Sequence, residues 1–357
     1  MASLHSFFQA AVLVPACFGI LSAQTAAQQH SNSVHIVPIK GNVWMLSAGG
    51  SNIVASVGKD GVLVVNTGPA SMTEKLLGAV EDLSRRVTSM QMPQRSCVGM
   101  VQGCPWWSSA TFTAATAAPP APKPIVGIVN TSLDPDTTGG NAAFSKAGRS
   151  HVGTAADNAW IVAHENANPL LREEREKTKG PQKTPTEALP TETFASPKFK
   201  LNHFNGEGVV LWHMPAAHSD GDTIVQFAES DVLVAGDVLN MSNYPVIDFA
   251  NGGSIQGTID ALNWLLDTAV VEHMMEGGTM IVPGHGRLAD SADVAYYRDM
   301  VTIIRDRVRA AAKKGMTLEQ VKAAKLTIDY DGRFGRNPSY TPDMFIEAVY
   351  RSLNTKP

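Results

Sequence analysis

The run Ile125-Val126-Gly127-Ile128-Val129 constrains this chain more than any other stretch. An apolar, β-branched segment of that length reads as a buried strand. It passes through Asp134, Pro135 and Asp136 into Gly139-Gly140-Asn141, a turn that opens a helix. Carboxylates at the end of a buried strand stand where layered α/β folds place their chemistry. Three later pieces repeat the pattern: Ala217-His218-Ser219-Asp220-Gly221-Asp222-Thr223, Ala235-Gly236-Asp237-Val238 and Pro283-Gly284-His285-Gly286. Each is a short apolar strand followed by a turn bearing His or Asp, a mixture of ligands that suits borderline metals.

Taken in this order, the four motifs resemble those of the metallo-β-lactamase superfamily, over roughly Val34 to Leu288. The resemblance implies a four-layer αββα sandwich with a one- or two-zinc site at one edge of two packed sheets. The family's first motif reads Thr-His-x-His-x-Asp-His-x-Gly-Gly-Asn. Thr131, Asp136, Gly139, Gly140 and Asn141 match it, whereas Ser132, Asp134 and Thr137 stand where the three histidines would be. Asn66 is a milder departure, at a position the family usually fills with Asp.

Carried over residue by residue, the first metal keeps His218, the second keeps Asp136 and His285, and Asp237 stands at the bridging carboxylate. With Asp134 as a fifth ligand, the set holds one ion per chain, Zn²⁺ or else Mn²⁺ or Fe²⁺, given its oxygen share. Asp136 is the candidate for orienting or deprotonating the attacking water. Two functions follow from the resemblance. One is a metal-dependent hydrolase that cleaves an ester, lactone, amide or similar bond of a small-molecule substrate. The other is a non-catalytic binding or scaffold protein on the same fold.

The 357 residues carry a net charge of −4 and no Lys/Arg cluster, so nucleic-acid binding is not expected. The apolar run from Phe7 to Leu21 is too short to span a bilayer and has the size of a signal-peptide core. Small residues at Thr25 and Ala27 then mark residues 1–27 as a leader, implying export to a periplasmic or extracellular space. Cys97 and Cys104 would close a small loop in such a compartment, or remain two thiols. They lie in an irregular insert at about 92–124 that also carries Trp106-Trp107 and a Pro-rich end.

The expected organisation is therefore a leader at 1–27, a sandwich domain at 34–290 and a C-terminal helical extension at 291–357. Three strands are expected between Val34 and Asn66, with a hairpin at Asp60-Gly61. A helix is expected over Ser71 to Val87, with Leu76, Leu77, Val80 and Leu83 on one face. Residues Arg172 to Pro197 read as a charged helix end running into a loop, and His164 as either an outer-shell group or a strand-end histidine bonded to backbone.

Overall fold

The computed structural model describes residues 33–91, 121–150, 158–168, 184–270 and 277–354. The leader, Cys97, Cys104, Trp106-Trp107 and the charge run 172–177 lie outside these residues.

Seven strands form the first sheet in sequence order: β1 (His35–Lys40), β2 (Val43–Ala48), β3 (Ser51–Gly58), β4 (Gly61–Val65), β5 (Ile125–Val129), β6 (Trp160–His164) and β7 (Glu192–Phe194). Five form the second, in the order β12-β11-β10-β9-β8: β8 (Lys198–Phe204), β9 (Glu207–Met214), β10 (Asp222–Phe227), β11 (Val232–Asn240) and β12 (Met280–His285). Strand alternation distributes the side chains. In β4, Leu63 and Val65 enter the core between the sheets, while Val62 and Val64 face outward. In β11, Val232 and Val234 point inward and Leu233 and Ala235 outward.

The outward faces are covered by helices, which completes the four layers of an αββα sandwich. Helix α1 (Thr73–Gln91) lays Leu76, Val80, Leu83 and Val87 on the first sheet, a stripe with helical spacing. Two short helices, α2 (Pro135–Thr138) and α3 (Asn141–Ala147), follow β5. The second sheet is covered by α4 (Ile255–Thr268) and α5 (Ser291–Lys313). Behind these pack α6 (Leu318–Ala323), α7 (Ile328–Phe334) and α8 (Pro342–Asn354). Among the described residues no helix is long and apolar enough to cross a membrane.

Local chemistry fixes the helix starts. Ser254 accepts from Gly257 N at the head of α4, and Thr317 with Gln320 forms a reciprocal capping box at the head of α6. The Asp60-Gly61 hairpin is present, with Gly61 at φ 117. Four strands rather than three precede Asn66, because β1 was not expected. The expected loop ending at Pro197 contains strand β7, which pairs in parallel with β6.

His164 is a strand-end histidine in the described fold. It is stacked on His213 with ring centroids 3.6 Å apart, and its Nδ1 accepts from Asn166 N. Burial, and then the neighbouring His213, lowers its pKa to about 4. The unfolded chain therefore takes up a proton between about pH 6.5 and 4 that the folded chain refuses. Stability present above pH 6.5 should fall by up to about 3 kcal/mol as pH drops toward 4. Urea midpoints across this range, wild type beside His164→Gln, check it: the variant should show the shallower acid limb.

Candidate metal centre

Parallel pairing brings the chemistry to one end of the sandwich. β4 pairs in parallel with β5 in the first sheet, and β11 with β12 in the second, so within each sheet the carboxyl ends of the pair face the same way. Asp134 and Asp136 follow β5, Asp237 lies within β11, His285 ends β12, and His218 stands in the turn between β9 and β10. All five line one cleft of about 540 Å³. A larger cavity, about 690 Å³, is lined by Trp160, Leu201 and Phe204 at the other end of the strands, and none of the five enters its walls.

The Gly-Gly-Asn turn is structural. A methyl on Gly139 would meet Ala70 N at 2.4 Å, and one on Gly140 would meet Thr67 O at 2.8 Å. Asn141 then ties the layers: its Oδ1 accepts from Thr67 Oγ1 at 2.9 Å and its Nδ2 donates to Asn130 Oδ1 at 2.9 Å. Asn66, at φ 62, accepts from Thr131 N and donates to Thr131 Oγ1, both at 2.9 Å. Its amide supplies a donor that Asp would lack, so this departure preserves the strand-end clamp.

Asp134 stands at the N-cap of α2, yet its carboxylate makes no capping bond. It turns instead to His218, with Oδ2 3.2 Å from Nε2. His285 Nε2 lies 3.3 Å from Asp136 Oδ2 and 3.4 Å from Asp237 Oδ1. Ser51 Oγ donates to Asp136 Oδ2 at 3.2 Å. Ser132 Oγ donates to Asp237 Oδ2 at 2.6 Å, a short bond to a charged acceptor. Thr137 Oγ1 stands 3.0 Å from Ser132 Oγ and 2.8 Å from the Asp134 carbonyl, one proton between two acceptors. Two of the three positions where histidines would stand are thus occupied by a hydroxyl network that orients Asp237, and the third, Asp134, faces His218.

Both imidazoles present the same nitrogen. His218 Nδ1 donates to Val246 O at 2.9 Å, and His285 Nδ1 donates to Gly50 O at 2.9 Å. A carbonyl can only accept, so in each neutral ring Nε2 is the lone-pair nitrogen facing the cleft. Asn52 holds the His285 turn by donating to Pro283 O and Gly286 O. Gly284 is required there, since a methyl would come within 2.7 Å of Asp237 Oδ1.

Charge is balanced inside this cluster. Burial disfavours ionised Asp237, but the His285 hydrogen bond and the charges of His218 and His285 bring its pKa down to about 2. Burial likewise opposes protonated His285, and Asp237 and Asp136 outweigh it, raising its pKa to about 9. His218 is raised well above its ordinary value, against burial, by Asp134, Asp222 and Asp237. Asp136 is raised by burial and then by Asp237. Burial pushes Asp222 up to about 7, while Ser219 donates to it through both N and Oγ.

These residues fit a divalent metal ion. His218 is 3% exposed, and its Nε2 has no hydrogen-bond partner, because the Asp134 carboxylate lies close but off the donor direction. One donor atom each from Asp134, His218 and Asp237 falls within 4.8 Å of the others. Atoms sharing one tetrahedral ion at about 2.1 Å stand about 3.4 Å apart. Within this group the Asp134–His218 separation, 3.2 Å, is close to that spacing. All five candidate ligands come together, and Asp134 belongs to the tightest group rather than its margin. Sequence reasoning missed the wall formed by Asn240, Asn243, Arg336, Asn337 and Tyr340.

Comparison with known proteins gives a consistent result. The sequence model of the metallo-β-lactamase superfamily matches residues 46–285. No curated protein matches the sequence. Among solved structures, a metallo-β-lactamase from Pontibacter korlensis shares 15% identity and a TM-score of 0.47, over 76% of this chain and 99% of its own. A double mutant of the sec-alkyl sulfatase PisA1 shares 14% identity and a TM-score of 0.57, over 91% of this chain and 51% of its own. At that identity the likeness to the sulfatase shows the fold alone.

Proposed function

Since the chain belongs to the metallo-β-lactamase superfamily, we propose that it is a metal-dependent hydrolase with one ion held by Asp134, His218 and Asp237. The observation that carries this reading is the buried, unpartnered Nε2 of His218, facing two carboxylates. One imidazole and two carboxylates suit Zn²⁺, Mn²⁺ or Fe²⁺.

A bound ion would supply Lewis acidity, lowering the pKa of water and polarising the scissile carbonyl or phosphoryl oxygen. The protein's own groups supply the rest. Asp136 is the most open of the three carboxylates, its side chain 37% exposed against 29% for Asp134 and 7% for Asp237. Its raised pKa suits a base that takes the proton from water and returns it to the leaving group. His285 and Ser51 both hold Asp136 through the same oxygen, Oδ2, which leaves Oδ1 for the proton. Ser132 keeps Asp237 from turning away. Export through the leader at 1–27 belongs to the same reading.

Purified protein reconstituted with Zn²⁺, Mn²⁺ or Fe²⁺ should hydrolyse members of an ester, lactone and amide panel. His218→Ala should lower kcat/KM by about a thousandfold, the scale of several kcal/mol of transition-state stabilisation. No turnover above the variant's on any substrate would leave the second reading, a binding protein, which the hydroxyl network at Ser132 and Thr137 favours.

A further inference from the structure

One wall of the cleft comes from beyond the family match. Arg336, Asn337 and Tyr340, in the segment between α7 and α8, line it together with the metal-site residues. This segment is fixed at both ends. Phe334 is fully buried, and its carbonyl accepts from Tyr244 N at 3.3 Å. Tyr244 Oη donates to Asp331 Oδ1 at 2.8 Å, and its ring stacks on Phe345 at 4.8 Å. Tyr340 Oη donates to Pro245 O at 3.0 Å.

Between these anchors Arg336 is exposed and makes no hydrogen bond or ion pair with any described residue. Arg333, three residues earlier, does find a carboxylate, Asp293, at 3.8 Å. Asn243 lies in the same wall, 4% exposed, and its Oδ1 has no hydrogen-bond partner. The wall therefore presents a permanent, unpaired cation to the cleft, on a frame anchored at both ends.

We propose that Arg336, with Asn337 next to it in the chain, is a recognition subsite for an anionic group of the substrate, of the carboxylate class. A guanidinium offers paired N–H donors that match the two oxygens of a carboxylate. Elsewhere in the cleft the positive charge belongs to His218 and His285, and each lies within 3.4 Å of a carboxylate, so Arg336 is the cation left free for an anion. An anionic substrate is then accepted in one orientation, with its charge at Arg336 and its scissile bond turned toward the carboxylates, and this contrast confers selectivity. The orientation of the scissile bond rests on the hydrolase reading; the anion subsite does not.

The test measures binding of monomethyl glutarate and dimethyl glutarate to the full-length, metal-free protein by calorimetry, so no metal can hold the carboxylate. The monoester should bind at least about tenfold tighter than the diester, a preference that weakens with salt. Arg336→Ala should erase the ratio and Arg336→Lys should keep part of it. Equal binding of the two esters by wild type, or a ratio that survives Arg336→Ala, would overturn the subsite. The preference without any turnover of the metal-loaded protein would refute the hydrolase reading alone, and turnover without the preference would refute the subsite alone.

Discussion

Gly257→Ala should destabilise the protein by at least about 3 kcal/mol, beyond the usual overpacking range. The added methyl would lie 1.9 Å from Ala216 O and 3.0 Å from Ala217 N, where α4 meets the turn carrying His218. Both contacts are backbone, so no side chain can swing aside. That turn is already committed: Ser254 N donates to Ala216 O, and Asp248 N to His218 O at 2.8 Å. The helix would have to withdraw, taking the cap and the His218 turn with it. Gly78→Ala is the matched control, in α1 with open space around its methyl position, and should stabilise by about 0.5–1 kcal/mol. Urea denaturation of the two variants beside wild type reads both. A Gly257→Ala protein as stable as wild type would refute the close packing of α4 on the metal-site turn.

The second large effect is on metal affinity. His218→Ala should weaken binding by more than the 10–100-fold typical of groups that only support a ligand, because it removes the ligand itself. The pH dependence is also set. His285, with a pKa of about 9, and His218, raised well above its ordinary value, are protonated at neutral pH in the metal-free protein. An ion held by His218 must displace the His218 proton, so wild-type affinity should rise as pH is raised from about 6 to 9 and fall as pH is lowered. Competition with a chromophoric chelator between pH 6 and 9 checks the slope. A pH-independent affinity would mean that His218 is not a ligand.

Much of this was legible in the sequence because the relevant signals are local. The apolar run at Ile125–Val129, the stripe on α1 and the capping pair Thr317 and Gln320 each require only neighbours in the chain. The five site residues could be located because each ends or interrupts an apolar strand. β1 escaped notice as an edge strand whose residues are only half-buried, which weakens alternation. β8 carried a usable signal in Lys198-Phe199-Lys200-Leu201, where Phe199 and Leu201 pack toward the inter-sheet core. Arg336 and Asn243 had no such signal. They meet in the cleft only because Tyr244 packs on Phe334 and Phe345, contacts that span about ninety to a hundred residues of chain.

The central claim is that Asp134, not a histidine, completes a metal centre with His218 and Asp237. Anomalous scattering at the metal absorption edge, from crystals of reconstituted protein, tests it most directly. The account predicts one peak within about 2.0–2.2 Å of His218 Nε2 and of an oxygen from each carboxylate. No peak in the cleft, or a peak held only by Asp136 and His285, would contradict it.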